Sequence, residues 1–404
     1  MSELKNIVII GASNAGHSLA KKLVQEGKIP ETHRILLIDP AQFAYWPIAS
    51  LRASVVPGWE KKVYRELKQE GIFAEGTKHV LVQAKVEEVG DGRFVLDREF
   101  EGTREVTFDS LVFATGASQP FPMRPKQEWS IAEVEDRLRQ TQEDIAAAER
   151  VVIIGGGPTG IEMAGEIITA HPSKKITLVH RQPRLLDDRF PVKLSNQLEA
   201  LLKKAGVELV LGDEHIQEPD LVTGKQDVTR TIRTKNGKEL EGEFVSRSRM
   251  CLRADRAAMT ADYVFIAIGN QPNTQLLANA DPAALSKDKT INVNEFLQVQ
   301  SSLFPRGNVF AAGDCANSPG WRSYISVEAD IATLARNIPA QLSGSAMKKH
   351  APGPRAMVVP VGPAAGAGFA AMGPLGDTAL PQFAVPIVKG KDLFVSKFFA
   401  RFLT

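Results

Sequence analysis

Residues 151–166 read VVIIGGGPTGIEMAGE. Four apolar residues, 151–154, form a buried strand. The turn Gly155-Gly156-Gly157-Pro158-Thr159-Gly160 follows at once, and a helical pattern begins at Ile161. Strand, Gly-x-Gly-x-x-Gly and helix in that order confine the segment to a parallel-sheet α/β unit built to cradle a dinucleotide. Gly155 permits the tight turn, Gly157 lets backbone approach a pyrophosphate, and Gly160 lets the helix sit against the strand. The helix N-terminus offers unpaired N–H groups to the phosphates. One such match also fits a tight strand–helix turn with no ligand. A second, degenerate copy argues for the ligand.

That copy opens the chain. Residues 6–10 read as a strand, Gly11-Ala12-Ser13-Asn14-Ala15-Gly16 as the turn, and 17–26 as the helix, with Ser13 where the middle glycine would stand. The second strand, 34–38, ends in Asp39, the position from which a carboxylate accepts ribose hydroxyls. In the later copy the equivalent strand, 175–179, ends in His180, followed by Arg181 and Arg184. With no carboxylate there, the two guanidiniums suit a 2′-phosphate, or they form a solvated basic loop. Each half also carries an apolar strand ending in glycine: 107–113 running into Ala114-Thr115-Gly116, and 263–268 running into Gly269. This internal repetition predicts an α/β protein with two Rossmann-like dinucleotide-binding domains, the second inserted in the first. The expected division is 1–120 and 276–345 for the first domain, 121–275 for the inserted one, and 346–404 for a small C-terminal α+β domain.

Composition sets outer bounds. At 404 residues the chain exceeds one ordinary core. A net charge of +2 gives no electrostatic case for a nucleic-acid partner. Cys251 and Cys315 form neither a CxxC nor a metal-ligand pattern, and their scarcity fits a reducing compartment. No apolar run reaches the roughly 20 residues that cross a bilayer. Ser2 follows Met1, so the glycine required for myristoylation is absent.

Between these landmarks, residues 43–59 are rich in aromatics and proline and read as a loop and short helix over a ligand. Arg52 lies there, as a ligand contact or a surface charge. Residues 79–88 and 93–96 read as a small antiparallel sheet and 126–150 as a charged surface helix. The basic stretch 246–256 reads as a surface insertion. Residues 308–312 form a strand running into Gly313-Asp314-Cys315-Ala316, where Asp314 can accept from ribityl hydroxyls; a helix follows over 324–342. In the C-terminal part, 356–361, 382–388 and 393–395 are apolar enough to pair as strands. In the tail, Phe398, Phe399, Phe402 and Leu403 share one helical face with Lys397 and Arg401 near its edge. That face suits a membrane surface or packing on the protein itself.

Taken in order, the two glycine turns, Ala114-Thr115-Gly116 and Gly313-Asp314 resemble the two-dinucleotide-domain flavoprotein reductases. GGGPTGIEMAGEI, LVH at 178–180, GDCA at 313–316 and KGKDLFVS at 389–396 resemble the ferroptosis-suppressor, apoptosis-inducing-factor-like branch of that family. The resemblance implies FAD, one NAD(P)H site and a quinone acceptor. It places FAD on Gly11, Ala12, Ser13, Asn14 and Ala15 with Arg52, Val86 and Asp314, and with Gly16, Thr115 and Gly116 close by. NAD(P)H falls on Gly155, Gly157 and Gly160. Glu162 falls on the nicotinamide side of the flavin, Lys389 in a segment closing over the isoalloxazine, and Phe394 on the quinone path. From the residues alone, Glu162 also reads as a first-turn glutamate favoured by the helix dipole, and Lys389 as a surface lysine. A buried Lys389–Glu162 pair follows if both assignments hold. Two other activities fit the same motifs: reduction of a protein electron carrier, and a redox-gated signalling role with slow turnover. The expected location is cytoplasmic, with a peripheral seat on a membrane or lipid droplet through the tail; a homodimer is also compatible with the resemblance.

Overall fold

The computed structural model describes residues 4–26, 28–214, 221–235, 258–321 and 323–402. The basic stretch 246–256, with Cys251, and Leu403 in the tail lie outside the described residues.

The first five-stranded sheet takes Lys5–Ile10 as its centre, with His33–Ile38 and then Val80–Val82 on one side and Ser110–Phe113 and then Val309–Ala311 on the other. All four pairings are parallel. Ile7, Val8 and Ile9 are fully buried, because a parallel sheet is covered on both faces and its strands read as continuous apolar runs. Residues 80–82, expected in a small antiparallel sheet, instead form the edge of this parallel one. The small sheet begins after them, as Val86–Gly90, Arg93–Phe100 and Thr103–Thr107.

The second sheet repeats the plan with Arg150–Ile154 paired in parallel to Lys175–His180 and Ala258–Ile266, Glu208–Leu211 beyond, and Gly224–Arg233 antiparallel at the edge. It is built from residues that lie between Ser110–Phe113 and Val309–Ala311 of the first sheet. The helix that leads into it, Ile131–Ala147, starts at a capping box in which Ser130 and Glu133 satisfy each other's backbone N–H.

The C-terminal part departs from expectation. Its sheet is antiparallel, Ala356–Val361 with Ala365–Ala371 with Asp377–Ala379. Neither 382–388 nor 393–395 is a strand. Pro386–Gly390 winds into a wide helical turn and Val395–Phe399 into a short helix. Leu393 and Phe394 sit at φ 50° and 59°, a left-handed pair that breaks any extended run. The strand that was missed, AGAGFAA, hides because small residues give little hydrophobic signal. They are needed: a Cβ on Gly366 would stand 2.5 Å from a Val385 methyl. The hairpin abuts the helix Pro158–Ala170, where a Cβ on Gly165 would stand 2.6 Å from the Gly362 nitrogen.

The tail is folded back. Phe398 is fully buried and Phe402 nearly so. Phe398 stacks on Trp46 at 4.5 Å and Phe402 on His17 at 3.9 Å. Arg65 covers the Phe399 ring at 4.2 Å. Of the two settings offered for this aromatic face, Phe398 and Phe402 take the second, packing on the protein itself.

Candidate functional site

In the first half, Gly11 turns at φ +107°, and a Cβ there would stand 2.4 Å from the Ala114 carbonyl oxygen. A Cβ on Gly16 would stand 1.8 Å from the Gly11 carbonyl oxygen. Both contacts admit only glycine, so the turn is tight for a structural reason and its open side faces a cleft. Asp39 stands at the strand tip, where its carboxylate accepts from Ala12 N at 2.7 Å and Ala41 N at 2.9 Å. Burial pushes its pKa up while those two N–H groups pull it back. The adjoining cleft, which Val86 and Thr115 help to line, has a volume of about 1250 Å³. Ordinary small-molecule pockets hold roughly 300–1,000 Å³, so the space suits an elongated dinucleotide. Ser13 and Ala15 line the first cavity; Asn14 does too, while its side chain accepts from Arg401 of the tail. Asp314 is exposed at the cleft mouth, and Gly313 before it is anchored by its N–H to Asp330 at 3.0 Å.

The two glycine-ended strands meet. Thr115 Oγ1 donates to the Asn273 carbonyl at 2.6 Å, Asn273 Nδ2 donates to the Thr115 carbonyl at 2.9 Å, and Ala117 pairs with Pro272. Sequence reasoning found Thr115 and Gly116 but not Asn273, whose signal was its place after the mirrored strand.

In the second half, Gly155 turns at φ +115° and a Cβ on Gly160 would meet the Gly155 carbonyl oxygen at 1.9 Å. Among the described residues nothing lies within 4 Å of a Cβ on Gly157, which leaves its backbone open to a ligand. His180, at the tip where a cofactor contact is expected, is held by the backbone. Its Nδ1 accepts from Gly156 N at 3.1 Å and its Nε2 donates to the Leu186 carbonyl at 3.1 Å. Both ring nitrogens are occupied, and burial lowers its pKa, so the ring is neutral and braces the turn. Arg184 is tied to Ser195 at 2.8 Å and Asp188 at 3.2 Å. Arg181 is exposed at the loop.

Between the halves, Lys389 Nζ donates to Glu162 Oε1 at 2.6 Å, and both side chains are nearly buried. Burial is the largest influence on Glu162 and pushes its pKa up, with Lys389 opposing. The helix begins at Pro158, so Glu162 lies in its second turn, past the reach of the dipole argument. The cavity at this pair is also lined by Thr159, Asn270, Arg124 and Asp314, so it joins elements of both halves. Phe394 is not among the lining residues. It stacks on Tyr324 at 5.6 Å instead, its path fixed by the left-handed turn.

Arg52, expected at FAD, is engaged by the protein itself. It is buried, and its guanidinium makes a fork with Glu166 at 2.8 and 2.6 Å. Its remaining N–H groups donate to the carbonyls of Gly390 at 2.7 Å and Lys391 at 3.0 Å. Arg52 therefore holds the chain on the C-terminal side of Lys389. Glu166, one helical turn after Glu162, was missed because nothing local distinguishes it from other helix glutamates.

A fold that presents one glycine turn to each of two dinucleotides, with an acid–base pair where the halves meet, is that of an NAD(P)H-dependent FAD oxidoreductase. The chain belongs to the pyridine nucleotide-disulphide oxidoreductase family, which matches residues 5–337. Ferroptosis suppressor protein 1 of Xenopus tropicalis is 30% identical over 403 residues, covering 98% of this chain and 96% of that protein. Apoptosis-inducing factor homolog B of Dictyostelium discoideum is 24% identical over 413 residues, covering 99% and 97%. Among solved structures, the covalent putidaredoxin reductase–putidaredoxin complex superposes with a TM-score of 0.61 at 22% identity, over 92% of this chain and 82% of that one. The water-forming NADH oxidase from Lactobacillus brevis gives a TM-score of 0.62 at 15% identity, over 91% and 75%. At these identities the solved structures share the fold.

Proposed function

We propose that this oxidoreductase passes electrons from NAD(P)H through FAD to a quinone. FAD would lie along the Gly11–Gly16 turn, Asp39, Val86 and Asp314, and the nicotinamide dinucleotide along Gly155, Gly157 and Gly160. When bound, the cofactors supply the hydride and electron chemistry. What the chain adds is position and a proton. The observation that carries the reading is the Lys389–Glu162 contact of 2.6 Å at the junction of the halves. Reducing a quinone to a quinol consumes two electrons and two protons, and the Nζ of Lys389 holds a proton in a nearly buried place beside the cavity. Glu162 accepts the hydrogen bond that orients that ammonium group, and Arg52, through the carbonyls of Gly390 and Lys391, fixes the backbone that carries it.

The exposed Arg181 is the group we assign to the outer phosphate of NADPH. In an anaerobic visible-absorption titration, NADPH should bleach the flavin band, and a short-chain quinone should restore it. A band that NADPH bleaches but quinone does not restore would refute the acceptor. Faster reoxidation by a ferredoxin-type protein would assign the enzyme to protein carriers instead.

A further inference from the structure

Arg124 was not singled out by any motif. It lines the cavity at Gly11 and Asp314, the long cleft at Val86 and the smaller cavity at Glu162 and Lys389. It is thus part of the wall common to all three spaces. The neighbouring cations are compensated: Arg52 by Glu166 and two carbonyls, and Lys389 by Glu162. Arg124 has neither a hydrogen bond nor an ion pair among the described residues. Asp314 acts on it through space, and Tyr45, whose hydroxyl donates to the Pro122 carbonyl at 2.9 Å, is its other electrostatic neighbour. Burial lowers the guanidinium pKa, and Asp314 only partly opposes that. Arg124 is half-buried, and a guanidinium partly drawn from water without a partner is unfavourable unless something anionic or carbonyl-rich meets it.

Position selects the partner. The phosphates of FAD have the Gly11–Gly16 turn and the helix after it. Arg124, like Asp314, lines both the cavity at that turn and the one at the Glu162–Lys389 pair, so it stands where the space for the phosphates and the space for the reacting ring share a wall. We propose that Arg124 is the positive charge facing the pyrimidine edge of the flavin ring, where it favours negative charge on N1 and the C2 carbonyl. The inference rests on the FAD reading above and assigns a residue to it.

Sulfite tests this without turnover. Its sulfur lone pair forms a bond to flavin N5, and the displaced electron pair comes to rest on the N1–C2 carbonyl edge; no other reagent is involved. Adduct formation bleaches the flavin band and gives a dissociation constant. Arg124→Met should weaken sulfite binding by about tenfold or more, Arg124→Gln should do the same, and Arg124→Lys should stay within about threefold of the wild type. FAD content should be similar in all four proteins. Unchanged sulfite affinity in the neutral variants would overturn the assignment while leaving the flavin site standing. Failure of the wild type to form an adduct would overturn it as well. Loss of FAD affinity in Arg124→Lys as great as in Arg124→Met would show a structural role instead. A folded wild type that binds no FAD would overturn the cofactor reading together with the proposal.

Discussion

Arg52 and Glu166 form a buried ion pair whose two members are not equivalent, and that asymmetry is measurable. Glu166 has Arg52 as its partner, through a fork at 2.6 and 2.8 Å. Arg52 has Glu166 and also the carbonyls of Gly390 and Lys391. Replacing Arg52 by Met leaves a carboxylate buried with nothing to balance it and two carbonyls without their donor. Breaking a buried pair from one side costs about 3–5 kcal/mol, and an unmet buried acceptor about 1–3 kcal/mol more. A loss near 5 kcal/mol is therefore expected. Replacing Glu166 by Met leaves a cation that still has two carbonyl oxygens, so about 2–3 kcal/mol is expected. The double variant, with no charge left in the site, should recover roughly 3 kcal/mol of the Arg52→Met deficit, since a buried pair replaced by apolar residues is often neutral. Urea unfolding of the FAD-loaded protein, followed by far-ultraviolet circular dichroism, gives all three values and their coupling. Arg52→Met no more damaging than Glu166→Met would refute the reasoning. So would a double variant no more stable than Arg52→Met.

Lys389→Ala should lower quinone turnover by about two orders of magnitude while FAD per chain stays constant; equal turnover would remove Lys389 from the mechanism. Gly156→Ala would set a methyl 2.7 Å from His180 Cγ, so it should cost about 1–3 kcal/mol of stability and weaken NADPH binding, whereas Gly157→Ala, with open space at its Cβ, should leave stability nearly unchanged in a thermal melt. His17, buried under Phe402 and donating to the Arg401 carbonyl at 2.8 Å, has its pKa lowered by burial to about 4. Its folded value lies below the ordinary 6.5, so the unfolded chain takes up the proton first. Stability should then fall as pH drops from about 6.5 to 4, by at most about 3 kcal/mol, and His17→Leu should flatten that part of the curve relative to wild type. Arg181→Ala should raise the KM for NADPH more than that for NADH, and equal effects on both would dismiss the 2′-phosphate role.

The parallel sheets were legible because their strands are continuous apolar runs closed by glycines that nothing else can replace. Gly11, Gly16, Gly155 and Gly160 could be placed from spacing alone, since each lies where a carbonyl oxygen crowds the missing Cβ. The C-terminal part was not legible for two reasons. Its central strand is nearly all alanine and glycine, which carries no periodic signal. Its apolar run at 393–395 was a turn whose left-handed residues depend on Trp46 Nε1 holding the Leu393 carbonyl at 2.8 Å, a contact across most of the chain. The same limit applies to the site. Glu162 and Lys389 are 227 residues apart in sequence, and spacing says nothing about such a pair; the family resemblance supplied it. The Arg52–Glu166 fork was not legible because an arginine near a cleft has the same sequence appearance whether it meets a cofactor or a glutamate.

The two halves also show how one backbone task is done by different residues. At the tip of the second strand, Asp39 accepts from Ala12 N, and in the repeat His180 accepts from Gly156 N. A carboxylate is small enough to leave room for the methyl of Ala12. An imidazole is not, and the residue it holds is glycine. The exchange has a chemical consequence. Asp39 keeps oxygen lone pairs beyond its two backbone bonds and can still receive a ribose hydroxyl. His180 has one acceptor and one donor, both in use, so it offers nothing to a ribose. The first half therefore retains the carboxylate that suits the unphosphorylated ribose of FAD. The second has given up the group that would repel a 2′-phosphate and carries Arg181 on the open side of the same loop. This exchange at the strand tip supports the NADPH reading proposed above, and Arg181→Ala is the variant that tests it.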